Sequence, residues 1–143
     1  MIEKLRNRKG SVLVEFALVA PLLVLILVGI MVMGVLINAK LVVASAAREA
    51  GRSYSILKDE GLARSKATDA MVGGGLKMAA GGQMLYDPAR DVSFDRQGDY
   101  VTVTVRYLQP TIVPLVGELM GGSNGTVLIR SVATFRVERA VKS

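Results

Sequence analysis

The chain contains no cysteine, no histidine and no tryptophan. Without cysteine it forms no disulfide and offers no thiol nucleophile, and without histidine it lacks an imidazole base and the usual zinc ligands. Serine and threonine are plentiful, but no histidine is present to activate them. The sequence therefore predicts no enzymatic activity, no catalytic residue, no cofactor and no metal site.

Four aspartates recur at four-residue steps in the second half of the chain: Asp87, Asp91, Asp95 and Asp99. A calcium loop of the EF-hand type needs acidic ligands at alternate positions, a central glycine and a terminal glutamate. This spacing provides none of these features. We interpret the four aspartates as turn and strand-edge residues.

The net charge of +6 divides equally between the first ten residues and the remainder. The leader carries four basic residues, Lys4, Arg6, Arg8 and Lys9, against Glu3. Nucleic-acid binding requires a basic stripe with interleaved aromatic residues, and no such stripe appears after the leader, so we expect no nucleic-acid partner. The basic leader instead follows the positive-inside rule and predicts a cytoplasmic amino terminus.

A long uncharged segment follows the leader, with 22 residues from Phe16 to Ile37 free of charge. A helix of that length reaches about 33 Å, which spans a hydrocarbon core of about 30 Å. Fifteen of the 22 residues are Leu, Ile, Val or Phe, which together favour insertion by about 5–9 kcal/mol. Glu15, at the edge of the segment, opposes insertion by at most about 3 kcal/mol. A single membrane-spanning helix is therefore predicted.

Glu15 is unusual because an ionisable group at membrane depth normally has a partner. If the chain were cut after Gly10, Ser11 would become the new amino terminus and Glu15 the fifth residue. In a staggered helical assembly, the carboxylate of one subunit would meet the α-ammonium of the next, and each charge would neutralise the other.

The sequence GSVLVEF behind a short basic leader resembles the class III signal of type IV pilins and pseudopilins. More narrowly, EFALVAPLLVLILVGI followed by ASAAREAGR resembles the TadE-like pseudopilins of tight-adherence (Flp) pilus systems. The resemblance implies cleavage between Gly10 and Ser11 by a prepilin peptidase, with the basic leader as part of the signal. It also implies that Glu15 and Phe16 serve recognition and assembly.

The resemblance further implies a structural minor pilin or pseudopilin that takes part in assembling an adherence pilus. The expected partners are the peptidase, other pilins, an inner-membrane assembly platform with its ATPase, and membrane lipid. The expected location is the inner (cytoplasmic) membrane, with one span, the amino terminus inside and the carboxy-terminal domain outside, and a place in the extracellular pilus after assembly.

Three other interpretations remain open at this point. Ala44-Ser45-Ala46 fits the cleavage pattern of an ordinary secretory signal, although the apolar region is longer than the usual 7 to 15 residues. The helix is alternatively an uncleaved anchor that carries a binding module, in which the carboxy-terminal domain recognises a surface, a polysaccharide or a partner. A membrane enzyme would need a site built without histidine or cysteine.

Beyond Asn38 the apolar segment continues as an amphipathic helix, with charged residues on its other faces. The apolar stripe comprises Val43, Ala47, Ala50, Tyr54 and Leu57, and the charged residues are Lys40, Arg48, Glu49 and Arg52. Gly61 is predicted to break this helix before a shorter one over 62–71. The glycines at 73–75, 81 and 82 lack the Lys-Ser/Thr pair of a phosphate loop and are interpreted as a flexible connection.

The last 50 residues alternate with the period of β-strands. Val92 and Phe94 begin the pattern, Gln97-Gly98 marks a turn, and YVTVTVRYL places Val101, Val103, Val105 and Tyr107 on one face. An apolar stretch to Met120 and a GGSNG turn then lead to a final strand. This strand has Val127, Ile129, Ala133, Phe135 and Val137 inward and Arg130, Thr134, Arg136 and Glu138 outward.

The predicted fold is α+β, in which about three antiparallel strands pack against the amphipathic part of a long amino-terminal helix. The predicted organisation has three parts: a cleaved leader at 1–10, a transmembrane assembly helix at 11–37, and an extracytoplasmic α+β domain at 38–143.

Overall fold

The computed structural model describes the backbone of residues 2–111, 118, 122 and 125–137, and the side chains of these residues from Gly10 onward. The fold is α+β, as predicted. The chain divides into two compact units, Met1–Val35 and Leu36–Ser143. The described elements are α1 (Ile2–Leu57), α2 (Glu60–Gly73), β1 (Ala79–Ala80), β2 (Gln83–Met84), α3 (Pro88–Asp91), β3 (Val92–Gln97), β4 (Tyr100–Pro110) and β5 (Thr126–Arg136).

Helix α1 continues through Pro21 and through the change of pattern at Asn38. It ends at Leu57 because Lys58 adopts a left-handed conformation with φ of 56°. Asp59 then caps α2, and its carboxylate accepts a hydrogen bond from the backbone N–H of Leu62. The predicted break at Gly61 was therefore wrong by two to three residues, because the side-chain cap at Asp59 determines the start of α2.

The buried stripe of α1 in the second unit consists mainly of alanine: Ala39, Val43, Ala46, Ala47 and Ala50 are at most 1% exposed. This confirms the predicted stripe at Val43, Ala47 and Ala50, and the four charged residues assigned to the other faces are all exposed. Tyr54 is half-buried, but Leu57 is 57% exposed and does not belong to the core. Leu57 is the last residue of the helix, where the apolar stripe no longer faces a packed neighbour.

Two glycines mark places where elements of this unit approach closely. A Cβ atom on Gly51 of α1 would overlap the ring of Phe135 on β5. A Cβ atom on Gly74, at the end of α2, would overlap the side chain of Val42. The absence of a side chain at these two positions therefore allows β5 and the end of α2 to pack directly against α1.

The main sheet has the strand order β3-β4-β5, and both pairs are antiparallel. A two-residue turn at Gly98-Asp99, one residue later than the predicted Gln97-Gly98, joins β3 to β4, with φ of 61° at Gly98. The alternation predicted for β4 is confirmed, since Val101, Val103, Val105 and Tyr107 are at most 2% exposed. These residues form one core with the α1 stripe, the buried face of α2 and the inward residues of β5.

The glycine-rich segment differs from the predicted flexible connection. The strands β1 and β2 form a small antiparallel pair, and Gly81 and Gly82 make its turn with φ of 57° and 77°. The following residues, Leu85 and Tyr86, are buried in the core. The Leu85 carbonyl accepts a hydrogen bond of 3.0 Å from the backbone N–H of Leu108 on β4. The segment is thus fixed at its end by burial and by this bond.

Several predicted features lie outside the described residues. They are the apolar stretch from Pro114 to Met120, in which only Glu118 is described, most of the GGSNG turn, and the outward side chain of Glu138.

Two core tyrosines have hydroxyl groups that are removed from solvent. Burial raises the pKa of Tyr107 above its ordinary value of 10.0, and its hydroxyl donates a hydrogen bond of 3.1 Å to the Lys77 carbonyl. Burial also raises the pKa of Tyr86, whose hydroxyl lies 3.5 Å from that of Thr68. Both side chains therefore remain neutral in the folded chain at a pH where they ionise in the unfolded chain.

We expect the free energy of unfolding to fall as the pH rises above about 10, because the folded state then holds protons that the unfolded state has lost. The stabilising contribution is complete below the unfolded pKa and is lost as the pH rises through the folded pKa. Chemical unfolding of the full chain at pH 8 and at higher pH measures this slope. Tyr107→Phe should flatten it, whereas Tyr100→Phe, at an exposed position, should leave it unchanged; an equal slope in all three proteins would contradict the assignment.

Candidate processing and assembly segment

The residues predicted for processing and assembly, Gly10, Ser11, Glu15 and Phe16, all lie in α1 and are all exposed. A Cβ atom placed on Gly10 would have no atom within 4 Å. The Cβ position of Gly10 is therefore open, and the side chains of Ser11, Glu15 and Phe16 are available to other molecules.

Ser11 and Glu15 are four residues apart on a continuous helix. At about 100° and 1.5 Å per residue, they share one face and are separated by about 6 Å along the axis. Among the side chains that the structure describes, Glu15 has no ion pair. The geometry thus leaves the carboxylate available for a cation supplied by another molecule, on the face where a new terminus at Ser11 would lie.

The apolar part of α1 is almost entirely exposed in the isolated chain. Phe16 is 66% exposed and Leu18 is 73% exposed, and most large apolar residues up to Ile37 are exposed as well, with Val32 and Leu36 as buried exceptions. By length and composition, one helix within Gly10–Leu57 can cross a membrane, and its most apolar window has a mean hydropathy of 2.9 with 6% of the window buried. A surface of this kind requires lipid or other apolar helices around it.

The basic leader belongs to the same helix. The backbone of residues 2–9 is helical, and the side chains of Lys4, Arg6, Arg8 and Lys9 lie outside the described part of the chain. The Gly10–Ser11 bond therefore lies inside α1 and not at its beginning. A peptidase that cuts this bond must act on a helix that has opened locally, and glycine lowers the cost of opening by about 1 kcal/mol relative to alanine.

Two of the four aspartates, Asp87 and Asp91, stabilise the short helix α3. The Asp87 carboxylate caps α3 by accepting a hydrogen bond of 2.9 Å from the Ala89 N–H, and Asp91 accepts one of 2.9 Å from the Asp87 N–H. Asp91 is only 8% exposed, which the spacing alone did not indicate. Within the described residues, no group of three or more acidic side chains is placed to hold a metal ion.

Sequence reasoning missed the role of Arg64. Its guanidinium donates to the carbonyls of Pro88 and Ala89, at 2.9 and 2.7 Å, and lies 5.5 Å from the centre of the Phe94 ring. It also pairs with Glu60 at 3.3 Å, a spacing of four residues along α2. The Glu60–Arg64 spacing was visible in the sequence, but the contacts with α3 depend on the tertiary fold. Arg64 therefore joins α2, α3 and β3.

Residues 10–52 match the family described as TadE-like protein, which confirms the resemblance found in the sequence. The matched segment begins at the glycine before the predicted cut and ends in the buried stripe of α1. No curated protein and no solved structure matches the chain.

Proposed function

We propose, on the premise that residues 10–52 match the TadE-like family, that this chain is a minor pilin or pseudopilin of a tight-adherence pilus. TadE-like proteins form a structural, pilus-associated family. In the proposal, a prepilin peptidase cuts between Gly10 and Ser11, and the apolar part of α1 holds the mature chain in the membrane until it is packed into an assembly. The carboxy-terminal domain then lies on the extracytoplasmic side.

The observation that carries the proposal is the coincidence of three properties in one segment. The matched residues form a continuous helix, most large apolar side chains before Asn38 are exposed, and a single carboxylate, Glu15, stands at the start of the uncharged segment. Lipid alone would satisfy the apolar side chains. It would not satisfy Glu15, because a charge at membrane depth needs a partner.

Cleavage would supply that partner. A cut after Gly10 creates an α-ammonium at Ser11, and a neighbouring subunit that is shifted along the axis brings its own Glu15 against it. The two charges then share a low-dielectric contact in which each compensates the desolvation of the other. The partners that this proposal requires are the peptidase, other pilins of the same system, and the inner-membrane platform with its ATPase.

One observation favours a second candidate, an uncleaved anchor that carries a binding module. Helix α1 runs without a break through the Gly10–Ser11 bond, so the resting chain does not present an extended cleavage site. The two candidates differ first in the covalent state of the mature protein.

We expect the intact mass of the protein extracted from membranes to correspond to a loss of residues 1–10 when a prepilin peptidase is present, and to the full chain when it is absent. Gly10→Val should remain at full length, because a β-branched side chain then occupies the position before the cut. Gly29→Ala is the matched control, since that glycine also lies in α1 with no atom within 4 Å of an added Cβ, and it should be cleaved normally. A mature chain that still begins at Met1 in the presence of the peptidase would leave the uncleaved anchor as the answer.

A further inference from the structure

The ladder between β4 and β5 shows which backbone groups of β5 point away from the sheet. The Val137 N–H donates to the Asp99 carbonyl, and the Thr111 N–H donates to the Gly125 carbonyl, at the two ends of the paired region. In an antiparallel pair, hydrogen-bonded residues alternate with residues that do not bond across. Given the register, the odd-numbered residues of β5 bond to β4, and the even-numbered residues direct their N–H and C=O groups to the other side.

The strand order makes β5 an edge strand, 11 residues long. Within the described residues, no strand pairs with the outer side of β5. In the central part of β5, the backbone N–H and C=O groups that point away from β4 belong to Leu128, Arg130, Val132 and Thr134. These residues are spaced by about 6.8 Å along the strand. A long edge with such groups is a template for the addition of another strand.

The side chains of the same residues lie on the outer face of the sheet, opposite the core. Leu128 is 58% exposed and Val132 is 51% exposed, with Arg130 between them. An isolated apolar residue on a surface needs no explanation, but here two lie on either side of a charge along an unpaired edge.

The outer face also contains two arginines directly opposite each other, since Arg106 of β4 pairs in register with Arg130 of β5. The two residues form a non-hydrogen-bonded pair, in which the Cα atoms are only about 4.5 Å apart. Like charges directly opposite each other destabilise a sheet. Neither guanidinium has an ion pair in the described part of the chain. Among the described strands, the acidic residue on this face is Asp95, which lies on β3 at the far edge.

We propose that the outer edge of β5 binds an extended acidic segment of a partner protein. The segment adds to the sheet as a strand next to β5 and places a carboxylate beside Arg130. The residues two positions before and two positions after this acidic residue are apolar, and they lie beside Leu128 and Val132. Main-chain hydrogen bonds supply the affinity and the alternate side chains supply the specificity, as in other cases of strand addition. The incoming carboxylate offsets the repulsion between Arg106 and Arg130.

The charge distribution selects this occupant over two others. A second copy of β5 would bring two more arginines and no acid to the same face. An anionic lipid surface would satisfy the arginines, but it cannot use the row of outward N–H and C=O groups. An acidic strand satisfies both the backbone edge and the arginine pair.

The test uses the full chain in neutral detergent micelles and a short synthetic peptide in which valine and threonine alternate and glutamate replaces the central valine. A second peptide, with lysine in place of the central glutamate, is the control. We expect the glutamate peptide to bind at least about tenfold more tightly than the lysine peptide. Hydrogen exchange should show that it protects the amides of Leu128, Arg130, Val132 and Thr134 and leaves the amides of the odd-numbered residues unchanged.

Two substitutions separate the backbone contribution from the charge contribution. Val132→Pro removes an outward N–H that β4 does not use, and proline is tolerated at such edge positions. It should weaken peptide binding at least about tenfold, whereas Val132→Thr, which keeps the N–H and one of the two methyl groups, should weaken it much less. Arg130→Glu should reverse the preference, so that the lysine peptide binds more tightly, and this variant decides the question even if the proline variant fails to fold.

Four results would overturn the proposal. They are binding of neither peptide, equal binding of both peptides, concentration-dependent self-association with protection of the same amides in the absence of peptide, and binding to vesicles that contain phosphatidylglycerol without protection of the edge amides. The third result would identify a second copy as the occupant, and the fourth would identify an anionic membrane surface.

Discussion

Glu15→Gln is expected to lower incorporation of the mature chain into a pilus by at least about a hundredfold. Glutamine keeps the size of the side chain and removes the charge, so the α-ammonium of the neighbouring subunit is left in an apolar contact without a partner. Removing one member of a buried ion pair costs about 3–5 kcal/mol, which is a factor of about 150 or more in an equilibrium. The measurement is the amount of the chain in purified pili relative to the amount in the membrane fraction.

The matched control is Glu49→Gln, which removes a carboxylate from the same helix at an exposed position outside the apolar segment. This variant should be incorporated at the wild-type level. The intact mass of each variant must be measured in parallel, so that a failure of cleavage is distinguished from a failure of packing. Normal incorporation of a fully cleaved Glu15→Gln protein would show that the ion pair does not drive assembly.

Gly51→Ala is expected to lower the free energy of unfolding by about 2–3 kcal/mol, although alanine is normally the better helix residue. The reason is local, because the added Cβ would overlap the ring of Phe135 on β5. Either the ring leaves its position on the core or β5 moves away from α1. The thermal midpoint of the full chain in detergent should fall by about 10 °C, since each kcal/mol shifts the midpoint of a domain of this size by several degrees.

A second substitution tests this cause. Phe135→Leu replaces the planar ring by a smaller side chain, so the double variant Gly51→Ala with Phe135→Leu should be more stable than the sum of the two single effects predicts. Gly73→Ala is the control, because an added Cβ there has no atom within 4 Å, and it should not lower the midpoint. Additive effects of the two substitutions would contradict the proposed contact.

The strands and the long helix were predictable from the sequence because their signals are periodic. In β4 the apolar residues alternate strictly, and the structure buries Val101, Val103, Val105 and Tyr107 on one face. In α1 the apolar residues at three- and four-residue steps predicted the buried stripe at Val43, Ala47 and Ala50. Elements that bury one face against one partner reveal themselves by such repeats.

Other elements carried no periodic signal. The end of α1 depends on a left-handed lysine, Lys58, which is an unusual residue for that conformation. The turn between β1 and β2 depends on Gly81 and Gly82, and glycine pairs occur equally in flexible linkers. The contacts of Arg64 join residues 24 and 25 positions apart in the sequence. The first two features depend on the conformation of single residues and the third on tertiary packing, and none of them produces a periodic pattern.

The candidate site was inferred from a signal of a different kind, a linear motif, and its role in processing and assembly stays a prediction. Gly10, Ser11, Glu15 and Phe16 form a contiguous motif, and the matched family segment begins at the first of them. The structure adds their helical conformation and their exposure. The cation proposed for Glu15 belongs to another subunit, and for that reason neither the sequence nor the fold of one chain contains it.

The alanine stripe of α1 also restricts how this domain can change during evolution. Its alanines and Gly51 contribute little apolar area and lose almost no side-chain entropy on folding, while the large buried side chains, such as Tyr86, Met71 and Val103, come from the elements packed against them. Residues larger than alanine are therefore excluded at the helix positions. At the positions packed against the helix, smaller residues are excluded because they would leave cavities. Homologues that have diverged should show small residues at the helix positions, whereas the sheet positions should vary among large apolar residues of similar volume.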